Sequence, residues 1–343
     1  MTAIIDRHLT TSTPVAPDGV PDREARGGPE TTVLARAFVA AHRETAERMG
    51  RELAESLDDT DAFVVELKAD LAALADPAYL VGQQRVAPGI GPIAGVRWPL
   101  LAALGRGLRW GTRRSSPAEL LFVADRLVRE EPLEMRWLAF GILDRLVGPE
   151  PEQAWQLLRH SARQAGDWIT VDSLAHPFAR GILLEPYRWA ELEQLVYSPS
   201  RWERRLVGST VAVIPFVDRR EGRLPAVAER GIELVGQLVG DAAPEVQKAL
   251  SWALRSLALV DRPAVAAFCA AEAERARVAG DGYRAWVIRD ALTRLDHDEA
   301  VVLRAALAGI RRRPGAPSTS SASAAAGRFG PLPDPAGHPE PPQ

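Results

Sequence analysis

The chain has one cysteine, Cys269, which excludes an internal disulfide framework and a cysteine-based zinc cluster. Its six histidines are scattered and form no metal-ligand spacing such as H-x-x-x-H. No metal site is therefore expected. Lysine is nearly missing, with only Lys68 and Lys248, so almost all of the 42 basic side chains are arginine. There is no long uncharged apolar run and no signal-peptide pattern, which predicts a cytoplasmic protein with no membrane role. Strand-like alternation is almost absent. The apolar, β-branched stretch Leu206–Val213 continues a helical register that starts at Arg201.

What is present is ordinary for a globular protein: 343 residues, 46% apolar and 25% charged, enough for a substantial core. The net charge of −3 argues mildly against a nucleic-acid partner. Its distribution argues the other way. Arg97, Arg106, Arg109, Arg113 and Arg114 fall between Arg97 and Ser116 with no acidic residue among them. Arginine suits planar, two-pronged contact with phosphate.

Residues 1–30 carry Pro14, Pro17, Pro21 and Pro29 without apolar periodicity and read as a disordered lead-in. Residues 313–343 are rich in Pro, Ser and Ala and read as a flexible tail. Between them, 31–312 is helical nearly throughout. Thr32–Leu57 and Asp61–Leu74 open it, and Pro77 breaks the pattern. Gly82–Gly95 holds several Gly and Pro; it lacks the GxxxxGK[ST] order and follows no β-run, so it is a connecting loop and not a phosphate loop. From Trp98 to Arg311 short helices succeed one another, broken by Pro, Gly, Asp or Ser. Paired helices in steady rhythm predict an all-α fold, an α-solenoid of degenerate HEAT-like repeats forming a curved superhelix.

Three segments about one repeat apart bear on function. In Asp167-Trp168-Ile169-Thr170-Val171-Asp172, Trp168 and Asp172 lie four apart on one helical face, with Asp167 at the N-cap position. The plain alternative makes Trp168 core and Asp172 a solvated charge. Next, Arg201, Arg204 and Arg205 share one face at the start of a helix. Cations there oppose the helix dipole, a tension that an external phosphate would relieve. A solvated basic face paired with Glu203 is the alternative. Last, Lys248, Trp252 and Arg255 share a face. In a solenoid, equivalent helices line one concave surface, which would bring the three sets together.

The ordered set Trp168-x-x-x-Asp172, Trp202-x-Arg204-Arg205 and Gln247-Lys248-Ala249-x-x-Trp252-x-Leu254-Arg255 resembles the HEAT-like-repeat alkylpurine DNA glycosylases, the AlkD-type DNA alkylation repair family. Gly95-Val96-Arg97-Trp98-Pro99 and Glu134-Met135-Arg136 are weaker echoes of its N-terminal repeats. The resemblance implies a monofunctional, cofactor-free glycosylase, and a monomer is the default expectation. Such an enzyme excises cationic N3- and N7-alkylated purines from double-stranded DNA without flipping the base into a tight pocket. It implies Asp172 as the catalytic carboxylate, Trp168 and Trp252 as cleft tryptophans, and Arg205 as the essential arginine. DNA phosphates would be met by Arg97, Arg109, Arg201, Arg204, Lys248 and Arg255. Two other readings fit the same scaffold: a non-catalytic binder of DNA structure, and a protein–protein scaffold.

Overall fold

The computed structural model describes residues 29–87, 89–326 and 328. Among these there are sixteen α-helices and no strand, only an isolated bridge between Ala75 and Val96. The fold is all-α. The lead-in up to residue 28 and the tail from residue 329 lie outside the described residues.

The described helices fall into two compact units, divided between Leu184 and Glu185. The first holds α1 (Pro29–Glu52), α2 (Thr60–Ala73), α3 (Pro77–Val86), α4 (Trp98–Gly111), α5 (Pro117–Leu127), α6 (Leu133–Leu146), α7 (Pro151–Gln164) and α8 (Trp168–Leu184). The second holds α9 (Arg188–Gln194), α10 (Arg201–Val217), α11 (Pro225–Leu238), α12 (Pro244–Leu257), α13 (Arg262–Ala279), α14 (Gly282–Ala291), α15 (His297–Ala306) and α16 (Ser321–Ala326). Their starts follow from sequence. Asp59, Asp76, Asp261 and Asp281 cap free N–H groups, Ser116 forms a capping box with Glu119, and Pro occupies the first turn of seven helices from α3 to α13.

In the first unit α4, α6 and α8 pack side by side, with α5 against α6 and α7 against α8. The second repeats this with α10, α12 and α14, backed by α11 and α13. Trp155, fully buried, meets Phe178 at 4.7 Å in the α7–α8 core. Where α1 crosses α4 the backbones nearly touch: a methyl group on Gly107 would lie 2.0 Å from the Glu47 carbonyl oxygen.

Three expectations need correction. Pro77 does not merely break a helix; with Asp76 it starts α3, which carries Gly82 and runs to Val86 before the loop begins. The last long helix stops at Ala306 and not Arg311, and Gly309 then turns the chain with φ +79°. The segment beyond 313, expected to be flexible, is held as far as Ala326. Thr319 N–H donates to the Gly240 carbonyl at 2.9 Å, Ser320 is buried, and α16 packs on α11. Composition concealed this because small hydroxyl side chains make polar contacts without hydrophobic periodicity.

Candidate functional site

In the first unit, α8 presents Trp168 and Asp172 from its first turns. The core face of this helix is formed by Ile169, Leu174, Ala175, Phe178 and Ile182, whereas Trp168 and Asp172 are only half-buried. Trp168 is thus not the core tryptophan of this region; Trp155 fills that place.

Asp167 caps the helix as its position predicts. One carboxylate oxygen accepts from Thr170 N–H at 2.8 Å and the other from Thr170 Oγ1 at 2.7 Å. Thr170 Oγ1 in turn accepts from Trp137 Nε1 at 3.0 Å. Sequence reasoning missed Thr170 and Trp137, although the Asp-x-x-Thr spacing was a capping signal. Burial pushes the Asp167 carboxyl up against the pull of its hydrogen bonds to Thr170 and Ile169, and the Asp172 charge adds to the rise. The turn beneath Trp168 and Asp172 is therefore tied to α6 by a buried Asp–Thr–Trp chain.

Arg97 and Arg109 stand at opposite ends of α4. Arg97 Nε bonds Asp76 at 2.6 Å, and its guanidinium lies 5.0 Å over the Tyr79 ring. Arg97 is an element of the fold's own ion pairing. Arg109 is exposed.

In the second unit, Ser200 caps α10 and three arginines follow. Arg201 is exposed and lies 5.2 Å over the Trp202 ring. Arg204 is consumed within the protein. Its Nε bonds the buried Asp241 at 2.7 Å, and Nη1 donates to the Ser198 and Pro199 carbonyls at 2.8 and 2.9 Å. The charge opposing the dipole, expected to await an external anion, is answered here by Asp241, which sequence reasoning missed. An open cavity of about 620 Å³ lies beside these residues, lined by Arg201, Trp202, Arg204, Asp241 and Ser318.

Gly208 lets α10 approach α12 closely, since a methyl group there would meet Ala249 at 2.9 Å. This seats Arg205, which is buried, with its Nη1 donating to the Glu245 carbonyl at 2.7 Å. On α12, Lys248 is exposed and Trp252 half-buried one turn on. The Lys248 amine is held below the usual lysine range by desolvation and by the Arg205 and Arg312 charges, against Glu245 and Asp290. Arg255 is paired with Asp290, which also accepts from Ser251 Oγ at 2.7 Å.

So the structure sets Trp168 with Asp172 in one unit, and Arg205 with Lys248 and Trp252 in the other. Arg97, Arg204 and Arg255 are spent on internal ion pairs. Among the described residues no three His, Cys, Asp or Glu side chains are grouped as metal ligands would be, and no helix is long and apolar enough to cross a membrane.

No curated protein matches this chain. The profile of the DNA alkylation repair enzymes does match it, over residues 67–295. That segment is more than half of the chain and spans every expected site residue from Arg97 to Arg255, so the chain belongs to the DNA alkylation repair enzyme family.

Proposed function

We propose that this chain is a monofunctional DNA glycosylase, hydrolysing the N-glycosidic bond of cationic N3- and N7-alkylated purines in duplex DNA. The observation that carries the reading is the pair Trp168 and Asp172, held off the core face of α8 above the locked Asp167–Thr170–Trp137 turn. Carboxylate and indole on one rigid helical face suit a reaction that develops positive charge.

As the C1′–N bond breaks, its electron pair goes to the purine and cancels the lesion's charge, leaving an oxocarbenium-like sugar. Asp172 stabilises that cation and aligns water. The water oxygen bonds C1′, and one proton is released. The indoles of Trp168 and Trp252 each offer a face to cationic or apolar parts of the lesion, worth about 0.5–2 kcal/mol apiece. Arg205 and Lys248 are assigned to phosphate, and Lys248 to no Schiff base. The helix pairs of each unit are read as degenerate HEAT-like repeats of an α-solenoid spanning 31–312. The enzyme is taken to act as a monomer in the cytoplasm, on nucleoid DNA.

The test is release of free 3-methyladenine or 7-methylguanine from a methylated duplex, with borohydride quenching in parallel. Base release without a trapped protein–DNA adduct is expected. An adduct lost in Lys248→Ala would overturn the monofunctional assignment. DNA binding without base release would leave a non-catalytic binder, and neither would leave a protein scaffold.

A further inference from the structure

The segment after α15 lies outside the residues that the family profile matches. It carries three consecutive arginines, Arg311, Arg312 and Arg313, all exposed. The chain is fastened on both sides of this run. The Arg311 backbone rests on Gly282, where a methyl group would stand 2.0 Å from its carbonyl oxygen. The Tyr283 hydroxyl reaches the Arg313 and Ala316 carbonyls at 2.9 and 2.8 Å. Further on, Ser318 and Thr319 hydroxyls donate to the Gly240 carbonyl at 3.2 and 3.3 Å, and Thr319 Oγ1 also donates to Asp281.

This strap aims the run at α12. Arg312 Nη1 donates to Gln247 Oε1 at 3.1 Å, next to Lys248, and its guanidinium lies 5.0 Å over the Trp286 ring of α14. A buried amide and an indole face thus fix the guanidinium. The Arg312 charge is felt at the Lys248 amine, and those of Arg311 and Arg312 at Arg289. The acids around them are mostly engaged: Asp290 with Arg255, Asp281 with Arg284, and Glu272 with Arg284 and Arg275. Among the described residues no ion pair is formed by any of the three strap arginines. Arg312 is thereby set beside Lys248, where Glu245 and Asp290 also act, and Arg311 acts with Arg312 on Arg289, so the run adds three charges that no described carboxylate pairs. Such a field attracts a polyanion.

We infer that the strap is a DNA-contacting arm, with Arg311, Arg312 and Arg313 meeting backbone phosphates beside Lys248. This rests on the reading of the chain as a DNA-binding repair enzyme. The test compares the full-length protein with its R311Q/R312Q/R313Q variant on an undamaged fluorescent duplex across a salt series. The slope of log K against log salt should fall by about 0.9 for each phosphate that the variant no longer neutralises, so by roughly 1 to 3 in all. Thermal unfolding should show the variant still folded at the assay temperature, losing only the modest stability that Arg312 gains from its bond to Gln247. Thr319→Val, which unfastens the strap, should weaken binding too, and add nothing in the triple variant. If the triple variant binds with wild-type affinity and slope, the arm is wrong while the glycosylase stands or falls on base release. If wild type binds and the slope falls but no base is released, the arm stands and the glycosylase fails. If wild type does not bind DNA, both fail.

Discussion

Asp172 is where the proposed chemistry is most exposed to test. Asn keeps the shape of the side chain but removes the charge that would face the forming sugar cation, so Asp172→Asn should fold and bind DNA as wild type does. Single-turnover excision should drop about 10²–10³-fold. Less labile lesions should suffer more than cationic ones, which depart partly unaided. Wild-type excision on every alkylpurine tested would make the carboxylate structural. That Trp168 and Asp172 share one face of α8, and that Asp167 caps it, was legible because helical spacing is a local rule and the cap is a contact between near neighbours. Trp137, 33 positions from Thr170, was not legible; nor was Asp241, 37 positions from Arg204. Both partners depend on which helices come to lie side by side.

The loop between α3 and α4 shows how an element is held without hydrophobic patterning. The buried Glu134 of α6 accepts from three successive N–H groups, Ala94 at 3.0 Å, Gly95 at 2.9 Å and Val96 at 3.2 Å. Three N–H groups pointing one way make an anion nest, and here the protein's own carboxylate fills it. The sequence did not display this contact, because the carboxylate lies 38 to 40 positions from the N–H groups it binds. Glu134→Gln removes the charge and presents an amide to those donors. It should cost about 1–3 kcal/mol in urea unfolding and speed amide exchange at residues 94–96; unchanged stability would show the nest to be incidental. Helix positions were largely legible, since caps and Pro at first turns are written locally. The exception within α8 is Pro177, around which the helix continues although the Ser173 carbonyl loses its usual donor.

At the scale of the whole molecule, 42 basic residues against 45 acidic ones say little about DNA until the paired ones are set aside. Arg204 and Arg201 make the contrast. Arg204→Ala would strand the buried Asp241 carboxylate and should cost about 3–5 kcal/mol in stability. Arg201→Ala should leave stability alone and lower the salt slope of DNA binding by about 0.9 if it meets one phosphate. The reverse pattern would overturn this sorting of the cations. Charge counts alone made the two look alike.

The strap has a consequence in time as well as in space. Its hydrogen bonds join residues from 30 positions apart, Tyr283 to Arg313, up to 79, Thr319 to Gly240. Contacts between such distant positions are closed later than local ones, whereas each helix forms from neighbours. During refolding, helical ellipticity should therefore recover before the arginine run reaches Lys248. On the reading given above, the protein gains its shape first and its full hold on the double helix last.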